Sequence, residues 1–150
     1  MRRSGLPGTA RYLGYAGLLP QGAAFLTIAT ASLDYRFSAL AFAFAYAALI
    51  FSFLGGLWWG LAAAQPERAP KWVWAAGVVP CLIAVASCVP WATGAAWPTP
   101  SLLLLAVGIG ASFLFDLRLD RLGLCPGGWV GFRVRLSLGL AALTALCALF

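Results

Sequence analysis

In this chain of 150 residues, 63% are hydrophobic and 9% charged, the inverse of a soluble domain, where about a quarter of residues carry charge. That balance excludes a water-solvated surface around an apolar core. A net charge of +6 would suggest nucleic acid for a soluble protein, but here the basic residues lie in short segments beside apolar runs and read as membrane topology signals, so no nucleic-acid partner is expected.

The apolar runs are continuous and do not alternate with polar residues, which favours helices over a barrel, because backbone amides in hydrocarbon must be paired within the protein. With about 20 residues needed per crossing, the chain is expected to be all-α: a single transmembrane helical-bundle domain over 1–150 with five spans.

The first span is expected from about Tyr12 to Ser32, after Arg2, Arg3 and Arg11. A competing reading makes it a cleaved leader, with Ala29, Thr30 and Ala31 forming the small-residue cleavage site. Its length exceeds the roughly 7–15 residues of a leader's apolar core, which argues against cleavage. Pro20 sits mid-span, where it removes a helical hydrogen bond and predicts a kink.

The second span, about Phe37 to Ala64, is longer than hydrocarbon requires and is expected to tilt or project. Along it Ala48, Ser52, Gly56, Gly60 and Ala64 recur every four positions, beside Gly55. Such small residues make a groove into which another helix presses. Packing within the bundle is the plain reading; a second copy of the chain or a foreign subunit is the other.

A polar break from Gln65 to Lys71, holding Pro66 and Pro70, ends that helix. The third span runs from Trp72 to Trp91 with Pro80 inside it, as a second expected kink. A turn from Gly94 to Pro100 separates it from the fourth, about Ser101 to Leu117, and a polar loop from Arg118 to Gly128 precedes the fifth, about Trp129 to Phe150. Nine of the ten basic residues fall on one side of this arrangement and only Arg36 on the other, which predicts a cytoplasmic N-terminus and an outer C-terminus.

A possible repeat has an offset of 60: Arg11 to Pro20 aligns with Lys71 to Pro80, and Ser52-Phe53-Leu54 with Ser112-Phe113-Leu114. A duplicated two-helix hairpin entering the membrane twice in the same direction would give this pattern. Chance matching within the small alphabet of membrane helices would give it too.

The segments Leu13 to Pro20, Tyr46 to Gly60 with Ser52 to Gly56 at its centre, and Trp129 with Arg133, Arg135 and Leu136 resemble a family of multi-pass membrane proteins similar to transmembrane protein 69, grouped as a domain of unknown function. The resemblance spans nearly the whole chain. It implies five helices in a bacterial inner membrane, or an organelle membrane in eukaryotic relatives, and no established activity. Where that family has a tyrosine soon after the final-loop tryptophan, this chain has Val130 and Gly131.

Chemistry finds little footing. There is no histidine, and the spacing of Cys81, Cys88, Cys125 and Cys147 forms no metal-ligand motif. Hydroxyls such as Ser52 and Ser112 have no histidine or span-buried lysine to activate them. No catalytic residue, cofactor or metal is therefore expected. Asp116 and Arg133 flank the last loop and form a candidate boundary ion pair or lipid-headgroup site, where arginine snorkels and aspartate reaches water. Arg118, Arg121 and Arg135 add a basic rim for anionic headgroups.

Two function classes remain: a non-enzymatic accessory, assembly or scaffold component of a membrane complex, with the bilayer and other subunits or itself as partners; or a small transporter or channel subunit, supported by the repeat, the paired prolines and Pro20-Gln21.

Overall fold

Helices are the form in which long apolar runs satisfy their own backbone, and the computed structural model, which describes residues 5–150, is helical almost throughout. In chain order the helices are α1 (Gly8–Ala16), α2 (Leu19–Thr30), α3 (Leu33–Ala63), α4 (Lys71–Ala86), α5 (Val89–Ala92), α6 (Thr99–Ala111), α7 (Phe113–Arg121) and α8 (Trp129–Leu149). Among the described residues there is no strand, only one isolated bridge between Gly5 and Gly127. Arg2 and Arg3, used above for topology, lie outside the described residues.

Four helical stretches are long and apolar enough to cross a membrane: Leu33–Ala63, Lys71–Ala92, Thr99–Arg121 and Trp129–Leu149, with mean hydropathy from 1.6 to 2.1. Their outer faces stay apolar in mid-helix, as at Leu49, Leu82 and Val107, each more than 60% exposed. A surface of this kind belongs in lipid, and the chain is a multi-pass membrane protein.

The first expected span differs from its expected form. Two helices, α1 and α2, replace one, and neither alone is long enough to cross. The physical cause is Pro20. Inside a continuous helix its missing N–H would orphan the carbonyl four residues back; instead the chain breaks at Gly17 and Leu18, and Pro20 falls in the first turn of α2, where no intrahelical partner is needed. Tyr46 of α3 donates its hydroxyl to the Gly17 carbonyl at 2.6 Å, tying the break to the bundle. Pro80 behaves differently and lies within an unbroken α4.

Helix α3 is the centre of the bundle, packing against α2, α4, α6 and α8. At about 1.5 Å per residue its 31 residues reach about 46 Å, well beyond about 30 Å of hydrocarbon. Its buried stripe runs Ala43, Ala47, Phe51, Leu54, Trp58 and Ala62, with Gly55 beside Leu54; the spacings of three and four along the stripe keep one face inward. The helices approach closely at Gly55, where an added Cβ would overlap the Gly77 carbonyl oxygen of α4. A Cβ on Gly77 would in turn strike the Trp59 ring. Trp59 is held there by donating its indole N–H to the Trp74 carbonyl at 2.7 Å.

This corrects the expected packing face. Gly55 packs, but Gly56 and Gly60 are exposed and have nothing within 4 Å of an added Cβ. One residue along a helix is a rotation of about 100°, which carries Gly56 out of the contact that Gly55 makes. Ala48 is half-buried against the main core, and half-buried Ser52 lines an open groove with Gly56 and Gly60.

Candidate functional site

The polar residues that α3, α7 and α8 bring inward meet at Asp116. The path begins at Ser112, between α6 and α7, whose hydroxyl donates to the Ile109 carbonyl at 2.6 Å. This local bond competes with the helical ladder where α6 gives way to α7. One turn later Asp116 is 0% exposed.

Three donors converge on its carboxylate. Trp58 of α3 and Trp129 of α8 each donate an indole N–H to Oδ1 at 3.2 Å, and Arg133 donates Nε–H to Oδ2 at 3.0 Å. Trp129 and Arg133 stand four residues apart on α8, so both reach the same carboxylate from one face. Trp58 is fixed by stacking on Phe115, with ring centroids 4.7 Å apart. Around the cluster lie Ala62, Val73, Leu119 and Leu124, all buried. In so apolar a shell a carboxylate is tolerated because its charge is shared among donors, and each donor is oriented by its own helix. The result is a clamp that binds three helices at one point.

Arg133 is buried with its partner, and its Nη2 has no hydrogen-bond partner. The expected pair therefore forms, but not as a water-accessible boundary pair: the Trp58 and Trp129 indoles and the apolar shell cover the carboxylate completely. The rest of the expected basic rim does not join it. Arg118 lies over the Trp72 ring, 5.9 Å from its centroid; Arg121 shares a shallow surface hollow with it, and Arg135 is exposed on α8.

The tryptophan donors were not legible as site residues, because an interfacial-belt reading accounts for them equally well. Gln21 is marked in the sequence beside Pro20, but its partner Thr144 is not, although both are polar side chains within apolar spans. Gln21 Nε2 donates to Thr144 Oγ1 at 3.0 Å, Thr144 donates onward to the Leu140 carbonyl at 2.8 Å, and Gln21 Oε1 is left without a partner. This pair joins α2 to α8. At the opposite end from Asp116, Ser101 donates to the Ser87 carbonyl at 2.7 Å and Thr99 to the Ala148 carbonyl at 3.2 Å. Among the described residues no group of His, Cys, Asp and Glu is arranged to hold a metal ion.

The family described as protein of unknown function (DUF3429) matches this chain over residues 6–149. No curated protein and no solved structure matches it.

Proposed function

The chain belongs to the DUF3429 family, and from that premise we propose that it is a non-enzymatic accessory, assembly or scaffold subunit of a membrane complex. In this reading it lies in a bacterial inner membrane and is a relative of transmembrane protein 69. Helices α1 and α2 in series make the first of five crossings, with the N-terminus cytoplasmic and the C-terminus outside. A duplicated hairpin is the origin of the offset between Pro20 and Pro80.

The observation that carries the proposal is the open groove on α3 and α4. It has a volume of about 650 Å³ and is lined by Ser52, Gly56, Trp59, Gly60 and Val78. Among the described residues no helix fills it, while small residues along one face of a membrane helix favour close approach of another helix. A transmembrane helix of a partner subunit is the occupant that this surface suits.

Support for a non-enzymatic role comes from the engagement of the carboxylate and the hydroxyl nearest to it. Asp116 already receives three donors, and Ser112 gives its proton to a carbonyl. The alternative, a small transporter or channel subunit, draws on Gln21, which is buried beside the proline break with Oε1 unpaired.

Copurification in mild detergent tests the two. The accessory reading expects a membrane partner that is retained by the native chain and lost on Gly56→Leu, and no solute uptake by the purified chain in liposomes. Uptake that is abolished by Gln21→Leu with folded yield preserved would establish the transporter reading instead.

A further inference from the structure

A second cavity, of about 290 Å³, lies on the other side of α3, bounded by the α1–α2 break and α8. Its mouth is at Leu13 and Phe53, each more than 60% exposed, and its floor is at Leu54 and Ile109, each no more than 2% exposed. In a protein whose exposed surface is apolar, such a mouth opens onto lipid chains. The volume is near the lower end of the roughly 300–1,000 Å³ of small-molecule pockets, and suits one acyl chain better than two.

Among the described residues only two polar side chains line the cavity, Arg133 and Ser137, one turn apart on α8. Ser112 gives its proton to Ile109, so the 3.0 Å contact between Ser112 and Ser137 takes its proton from Ser137. Arg133 is then the side chain with donor capacity to spare. It is 6% exposed, its Nε is committed to Asp116, and its Nη2 is buried without a partner, so a ligand head reaches that nitrogen only by parting the side chains around it. An unpartnered charged donor in an apolar shell is costly to bury. A ligand that accepts hydrogen bonds would relieve it.

We propose that this cavity binds a single-chain amphiphile with an oxyanion head, the head on Arg133 and the chain between Leu13, Ile50 and Leu140. The shared chemistry is a carboxylate or phosphate oxygen on one acyl chain. A free fatty acid and a monoacyl phospholipid are its two sources. The inference does not depend on the accessory role, since the α3–α4 groove is a separate surface.

Native mass spectrometry of the full chain, released from mild detergent after incubation with oleate, oleoyl-lysophosphatidylglycerol or oleyl alcohol, tests it. One adduct is expected with oleate or the lysophospholipid, exceeding the oleyl alcohol adduct by about tenfold, the worth of one charge-assisted hydrogen bond. Whichever acid gives the larger adduct identifies the source. Leu136→Trp, which enlarges a side chain lining the cavity and leaves both members of the Asp116–Arg133 pair in place, should remove the adduct while the variant still elutes as folded protein. Arg133→Gln should remove the preference for the acids; if that variant does not fold, the ligand series and Leu136→Trp decide the matter. Equal adducts with the alcohol and the acids, no adduct at all, or an undiminished adduct in Leu136→Trp would each overturn the proposal.

Discussion

Gly55 and Gly56 are neighbours in sequence and opposites in structure. At Gly55 the backbones of α3 and α4 come so close that a single added carbon would meet the Gly77 carbonyl, whereas at Gly56 an added carbon meets nothing. The inward face of α3 goes on to Trp58 and the Asp116 clamp; the outward face goes on to Gly60 and the open groove. The same residue type thus has two settings on one helix: one glycine lets the bundle close, and the other leaves an open surface, which the proposed function gives to a helix from outside. Small residues in a membrane helix mark close approach, but only their rotational position says whose helix approaches.

The contrast is most strongly tested from the clamp. Arg133→Leu leaves Asp116 buried without its cation, and breaking a buried pair by removing one partner costs about 3–5 kcal/mol. The variant should show little folded protein in detergent by size-exclusion chromatography. Gly55→Leu should be next. Overpacking of a tight contact costs about 1–3 kcal/mol, and the obstruction here is backbone, so the upper part of that range is expected as a lower thermal midpoint. Trp58→Phe keeps the ring against Phe115 but removes one hydrogen bond to the carboxylate. A loss of about 1.5 kcal/mol is expected, readable as a smaller drop in the same melt. Gly56→Leu should be nearly silent, within about 0.5 kcal/mol, as for other substitutions away from packed features. A Gly56→Leu loss as large as that of Gly55→Leu would erase the distinction between the two faces.

How much of this was readable beforehand follows from where the chain carries distinctive residues. Charges and prolines punctuate the ends of α3, α4, α7 and α8, so Lys71, Arg118 and Trp129 marked those boundaries to within a few residues. Pro20 marked the weak point of the first span, but whether a proline kinks a helix or restarts one depends on what donates to the neighbouring backbone carbonyls. Tyr46, 29 residues away, helps decide that by bonding to Gly17.

The rotation of α3 was not readable, because a helix that is apolar all round has no polar face to orient it; a four-residue repeat of small side chains fits either glycine. The pairing of Asp116 with Arg133 was readable from their places at the two ends of one short loop. Their burial was not. It depends on Trp58 and on the apolar shell of Val73, Leu119 and Leu124, which the linear chain does not place together.

The central claim is that the outward face of α3 receives a partner helix while the inward face holds the fold. The most direct measurement is quantitative copurification from membranes, comparing the native chain with Gly56→Leu at matched folded yield. The account predicts that the variant melts like the native protein and loses its partner. Full retention of the partner by a folded Gly56→Leu chain would contradict it.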